Sequence, residues 1–497
     1  MAQRIAIDVS QLYSWPAKSG IQRTLLGLLK NWPMELLGAE CVFEMNGVFH
    51  CVPVETVAQG LESRFFSERS DEEAEEVFRG SVWEAQTRRL SLDNIPAYFD
   101  GWLVPEPTWR PAAIDTLRYL QGMLVTGVIL YDLIPELALD RSPAMSRGSR
   151  FSEFFRAAAQ ADICWSISHE TRDDLVSRLR RSPTRPSPII TPGVDHVVSG
   201  HGRESTGLKF VCVGTLGPRK RTDLVVRAFA QASESGVPMA LTLIGKRTPQ
   251  AIGIVSEIKR VQSEGHRLEW LDAADDSTVW KELTSATASV VVGHEGYGIP
   301  AIESLAVGCP VISSRQVPSV VAFENRGVVI LDEVTEGALA DTFLYLSDPS
   351  VVDRLRAEIT VEALPRWANF ATGVALGFML QLRSSLVLGL GAAGDGSSAD
   401  ELAGDPRRES SRSLEARAVE SGEGADEVSW SGWKFSMRDA LGAGPTTALA
   451  AVTATRIRVS SLESAPMAFA EGDYQPAHGG VSEPLAGHTH AILVAHD

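Results

Sequence analysis

Short runs of apolar, largely β-branched residues alternate with segments of helical periodicity throughout the second half of this chain. KFVCVGTL precedes TDLVVRAFAQAS, MALTLIG precedes PQAIGIVSEIKRVQS, and RLEWL precedes a helical segment at about 276–286, after which come ASVVV and VVILDE. Strand-length apolar runs are buried on both faces, and a helix between two of them supplies the crossover that a parallel sheet needs. The pattern predicts doubly wound α/β architecture. The first half carries the same signal more sparsely. RIAIDVS reads as a strand, followed by a loop containing Gly20 and a helix from Ile21 to about Lys30. A variable, acidic region comes next, in which SDEEAEE at 70–76 reads as a solvated helix face. Strands return at GWLVP (101–105), VTGVILYDL (125–133) and DICWSIS (162–168), with helices at about 150–160 and from Glu170 to Arg180.

TPGVD (191–195) reads as a turn entering a linker, and SGHGREST (199–206) is small and polar. Two α/β halves, 1–198 and 207–385, are therefore expected to enclose a cleft, with ligands at the carboxyl ends of the strands. From about Leu390 the composition turns to Gly, Ser and charge, so 390–497 is expected to be a disordered tail. Its Trp430 and Trp433 would form at most a small binding element. The apolar stretch before that tail is interrupted by Gln381 and Arg383, which argues against a spanning helix. A net charge of −17 argues against a general nucleic-acid binder. The five cysteines stand singly, with no CxxC pair, and MAQRIAIDVS has no signal-peptide pattern, so reduced thiols in a cytoplasmic protein are expected.

The stretch EGYGIPAIESLAVGCPVIS, from Glu295, carries the chemistry. ASVVVGH is a buried strand that delivers Glu295 to its end. Gly296 and Gly298 permit close backbone approach, Pro300 suits a helix start, and Gly308 suits a helix end. Glu303 is then expected in the first turn of a short helix whose free N–H groups attract an anion such as a diphosphate. The two carboxylates would accept hydrogen bonds from hydroxyls beside that anion. The blander alternative makes Glu303 a favourable helix-start charge and Glu295 a solvated loop residue.

This stretch resembles the E-x7-E signature of glycosyltransferase family 4, nucleotide-sugar enzymes of the GT-B fold. KFVCVGTLGPRKRTDLVVRAFAQ and LTLIGKRT resemble the family's opening of the C-terminal domain, and IAIDVSQLY with SGIQRTLLGLL its first strand, glycine loop and helix. VILYDLIPELALD resembles its His-Asp strand end, and ADICWSISHETRDDLVSRL the last N-domain helix; the likeness spans about residues 3–383.

The resemblance implies roles. Glu303 would bind the nucleotide ribose and Glu295 the donor-sugar hydroxyls, while Gly296, Tyr297, Gly298 and Ile299 would present the donor-binding loop. Lys220, with Arg219 beside it, would neutralise the diphosphate leaving group. Gly20 matches the glycine that lets the diphosphate approach. Asp132 matches the aspartate of the His-Asp pair, but Tyr131 stands where many members have histidine. Thr215 stands where arginine is often found, so Arg219 is expected to substitute. His294 reads as a loop histidine.

The implied reaction is sugar transfer with retention of anomeric configuration, without a metal because no Asp-x-Asp clamp occurs. GDP-mannose is the suggested donor, since GIQR and YDLIP resemble enzymes building bacterial surface polysaccharides on glycan or lipid-linked acceptors, with peripheral membrane association. The alternatives are a GT-B nucleotide-sugar epimerase and a catalytically inactive binding subunit. No cofactor is implied beyond the nucleotide sugar itself.

Overall fold

The computed structural model describes residues 3–65, 70–134, 148–197, 207–272 and 274–392. The linker stretch 199–206 and the tail beyond 392, with Trp430 and Trp433, lie outside the described residues. Contacts divide the chain into Met1–Leu382 and Arg383–Asp497, and both sheets belong to the first unit.

The first sheet contains β1 (Arg4–Asp8), β2 (Gly38–Met45), β3 (Val48–Val52), β4 (Arg88–Leu90), β5 (Gly101–Val104), β6 (Val125–Leu130) and β7 (Ile163–Ser166). Their spatial order is β4-β3-β2-β1-β5-β6-β7. The second contains β8 (Leu208–Val213), β9 (Met239–Ile244), β10 (Arg267–Leu271), β11 (Ala288–Val291), β12 (Val311–Ser314) and β13 (Val328–Leu331), in the order β10-β9-β8-β11-β12-β13. Every pair in the second sheet is parallel. The uniformly apolar runs became strands buried at every position in β5, β6, β7, β11 and β12. The helices expected at about 150–160 and from Glu170 appear as Gly148–Ala159 and His169–Ser177.

The first sheet departs from expectation at one edge. The region read as variable and acidic contains β2, β3 and β4, which pair antiparallel. Asn46 and Gly47, at φ 54° and 76°, make the tight turn between β2 and β3, because both positions need a left-handed backbone. The acidic run does lie on a helix, Asp71–Glu84, capped by Ser70 and Glu73. At the opposite edge the segment 186–190 lies along β7. Cys164 N donates to Pro186 O (3.2 Å), Ser166 N to Pro188 O (3.0 Å), and Ile190 N to Ser166 O (2.9 Å).

Each sheet has its own core. Trp102, Phe154 and Phe155 are fully buried in the first, and Phe210, Phe229 and Phe343 in the second. The helix Trp367–Ala392 follows the second sheet, yet as far as Leu382 it packs on the first. The Phe378 ring lies 5.3 Å from that of Trp165, and a Cβ at Gly127 would meet Phe378 at 2.6 Å, so the strand tolerates only glycine there. Burying an aromatic of this kind contributes about 1.5–3 kcal/mol. All five cysteines are free, and four are buried. Among the described residues no helix is long and apolar enough to cross a membrane.

Candidate functional site

In the second sheet β8 lies between β9 and β11, so the winding reverses at β8 and a crevice opens at the carboxyl ends of β8 and β11. Arg219 and Lys220 follow β8 on a single 3-10 turn, Pro218–Lys220, and Glu295 follows β11. The two loops interlock. Arg219 Nη1 donates to the His294 carbonyl (2.6 Å) and to Glu295 Oε2 (3.2 Å), while Lys220 Nζ donates to Glu295 Oε1. A Cβ at Gly293 would stand 2.5 Å from Lys220 Cα, so this glycine lets the loops touch. Glu295 is thus a buried carboxylate shared by two cations rather than a solvated loop residue.

Beyond Glu295 the chain turns into the helix Ile299–Ala306. None of the backbone N–H groups of Gly296, Tyr297, Gly298 and Ile299 donates to another described residue. Consecutive free donors at a helix start form a concavity suited to an anion. Gly298 has φ 102°, and its carbonyl accepts from Ser319 Oγ (3.0 Å), which holds the loop's shape. Tyr297 is buried, and that burial holds its hydroxyl well above the usual tyrosine range. Glu303 lies one turn later than expected. The helix begins at Ile299 with Pro300 second, so Glu303 falls in the second turn, and its attraction to the helix start does not explain its place.

The first sheet contributes the opposing wall. The helix Gly20–Lys30 is capped by Ser19, whose Oγ accepts from Ile21 N (3.2 Å). A Cβ on Gly20 would lie 3.4 Å from Ile299 Cδ1, so the two helix starts face each other. Asp132 follows β6, and its Oδ1 accepts from Ile134 N (2.9 Å). Burial raises its carboxyl above the usual range, against the pull of the Ile134 hydrogen bond and Arg219. A Cβ at Gly296 would stand 2.6 Å from the Tyr131 carbonyl and 2.9 Å from Asp132, so the glutamate loop is pressed onto this strand end. Tyr131 itself donates to Pro105 O (3.0 Å) and points into its own domain. Thr215 is exposed and makes no hydrogen bond to the cluster.

Four neighbours went unremarked in the sequence. Arg23 Nη2 donates to both carboxylate oxygens of Asp276 at 2.7 Å, and its Nε lies 3.7 Å from Glu303 Oε1. His196 Nε2 is 2.9 Å from that same oxygen. Glu170 reaches to 3.6 Å from His294 Nε2, and burial raises its carboxyl, with His294 opposing. The only signal for Arg23 was its place in GIQRT, and His196 and Asp276 carried none. A groove of about 540 Å³ between Tyr13 and the helix Asp71–Glu84, with Trp83 and Arg79 in its wall, lies away from this cluster. Its Glu72 and Glu76 are exposed and its Glu75 is paired with Arg64 and Arg79, whereas the strand ends carry the buried carboxylates.

Two facing α/β sheets with a cation-and-carboxylate cluster at the switch point make this a GT-B fold. A sucrose-phosphate synthase from Thermosynechococcus elongatus superimposes with a TM-score of 0.52 at 18% identity, covering 78% of this chain and 100% of that one. Residues 207–348, from β8 to β13 and beyond, match the family model described as Glycosyl transferases group 1. Two further solved structures are similar at lower scores. One is HepE from Anabaena with UDP and glucose, at TM-score 0.49 and 10% identity, covering 78% of this chain and 100% of that one. The other is a UDP-forming trehalose-phosphate synthase from Burkholderia xenovorans, at TM-score 0.49 and 13% identity, covering 77% and 100%. No curated protein matches the chain by sequence.

Proposed function

We propose that the protein transfers a sugar from a nucleotide-diphosphate sugar to a glycan or lipid-linked acceptor, with retention of configuration and without a metal. One observation carries this reading: Lys220 and Arg219 converge on Glu295 beside the four unused N–H groups of Gly296 to Ile299. The diphosphate lies against these N–H groups and the two cations, which stabilise the charge that grows as the anomeric C–O bond breaks. Glu295 then exchanges its cation contacts for donor-sugar hydroxyls, and Glu303 takes ribose hydroxyls. The acceptor oxygen forms its bond on the face the diphosphate leaves, and the acceptor proton passes to a departing phosphate oxygen. Asp132, whose carboxyl burial raises above its ordinary value, lines the acceptor side. GDP-mannose is the first donor to try, on the resemblance of GIQR and YDLIP to enzymes of bacterial surface polysaccharide synthesis, which also suggests work at a membrane face.

The test incubates the protein with UDP-, GDP-, ADP- and dTDP-sugars, with and without a saccharide acceptor, in the presence of EDTA. Acceptor-dependent release of nucleoside diphosphate, with the α-anomeric coupling of the donor kept in the product, is expected. Interconversion of donor sugars without acceptor identifies an epimerase, and donor binding without turnover an inactive subunit. Activity lost to EDTA and restored by magnesium overturns metal independence.

A further inference from the structure

The chain passes between the two sheets twice, and the two passages are pinned together. Val194 N donates to Pro365 O (2.9 Å), and Trp367 N donates to Asp195 Oδ1 (2.8 Å). They touch as closely as backbones can, since a Cβ at Gly193 would stand 2.2 Å from Trp367 N. His196 emerges from this crossing with its ring between two partners. Nδ1 is 3.0 Å from Trp367 Nε1, and Nε2 is 2.9 Å from Glu303 Oε1. An indole N–H can only donate, so Nδ1 accepts, and the ring hydrogen sits on Nε2, aimed at the carboxylate. Arg23 lies 3.7 Å from the same Oε1. Oε2 of Glu303 makes no hydrogen bond to any described residue.

We infer that His196 is a positioning residue: from the pinned crossing it holds Oε1 of Glu303 and so turns Oε2 toward the ribose hydroxyls of the donor nucleotide. This rests on the reading that Glu303 takes the ribose. An ordinary packing histidine needs no polar partner at both nitrogens. Here one partner fixes the tautomer and the other receives it, as second partners do for ligating side chains elsewhere. The position also explains why a residue 107 places from Glu303 belongs to the site. It couples the aim of the carboxylate to the route the chain takes between sheets.

The test is titration calorimetry of UDP, GDP and ADP, each against its 2′,3′-dideoxy counterpart, on the full chain. His196→Gln keeps an N–H near the position of Nε2, whereas His196→Asn ends near Nδ1 and cannot reach Glu303. Wild type should prefer the ribose form of its nucleotide. His196→Asn should cut that preference about tenfold with dideoxy affinity unchanged, and His196→Gln should restore most of it. Trp367→Phe keeps the ring but frees the tautomer, should also lower the preference, and decides the matter if His196→Asn fails to fold. Preference unchanged in the folded His196→Asn, or equal loss for both nucleotide forms, overturns the positioning role alone. An intact preference in Glu303→Gln, or no binding of any of the three by wild type, overturns the ribose reading and this inference with it.

Discussion

Among the described residues the Glu295 carboxylate pairs with two cations, Arg219 and Lys220, so the charges that would meet a diphosphate are held ready by a displaceable carboxylate. Their work is greatest when the leaving group is most charged. Lys220→Ala is therefore expected to lower kcat by roughly a hundredfold while weakening donor binding far less; normal turnover at saturating donor would place this lysine outside the reaction. A second buried acid tests the electrostatics of the opposing domain. Glu106, beyond β5, accepts from Gln22 Nε2 (2.9 Å), and burial pushes its carboxyl up to about 8 from an ordinary 4.5, against that hydrogen bond. The folded chain thus keeps a proton that the unfolded chain releases, and stability falls as pH rises between those two values. The slope is at most about 1.4 kcal/mol per pH unit. In Glu106→Gln that fall should vanish, so the variant should melt higher than wild type at pH 8 and nearer to it at pH 5. At this scale the grouping of Glu295 with Arg219 and Lys220 was legible from local motifs, whereas Glu303 was expected a turn too early in its helix. Arg23 and His196 were not legible, because Arg23 meets Asp276 across 253 residues and His196 meets Glu303 across 107, separations that no local spacing encodes.

The helix Gly20–Lys30 shows why one element touches the site at several points. Gly20, Arg23 and Gly27 recur at intervals of three and four, which puts them on one face. Gly20 faces Ile299, Arg23 reaches Asp276, and Gly27 lies under the Trp367 ring. A Cβ on Gly27 would stand 2.3 Å from that indole, which is a rigid ring with little room to yield. Gly27→Ala is expected to destabilise the fold by about 1–3 kcal/mol through overpacking. Because Trp367 also holds His196, it should weaken nucleotide binding as well. Thermal melting and nucleotide titration read the two effects separately, and a variant as stable as wild type would mean that the crossing can shift freely. Of the elements, the parallel strands were readable because their burial on both faces writes continuous apolar runs. The β2–β3 hairpin was passed over although Asn46–Gly47 is a strong turn signal, since the acidic helix beside it dominated the local composition.

For the molecule as a whole, the facing walls are nearly shut: the space between Asp132, Glu170, His294 and Glu295 is narrow, and ion pairs cross it. Arg23 joins Asp276, and Lys246 joins Asp71 at 3.1 Å. Under the proposed function a donor enters between these walls, so closure has to be reversible. Arg23→Ala is expected to enlarge the radius of gyration of the empty protein in X-ray scattering, with the difference disappearing when nucleotide is bound. Equal radii without ligand would mean that other contacts hold the walls. The segment along β7 has a different kind of consequence. A sheet edge is a template on which another chain can add a strand, and the usual remedy is to cover it. The cover here hydrogen-bonds inward through the carbonyls of Pro186 and Pro188. Residues 186, 188 and 190 turn their backbone groups inward, so Ser187 and Ile189 turn theirs outward between them. The margin that faces a second copy is thus reduced to a run of two residues between prolines and a strand end, a far shorter template for fibril growth than bare β7 would be.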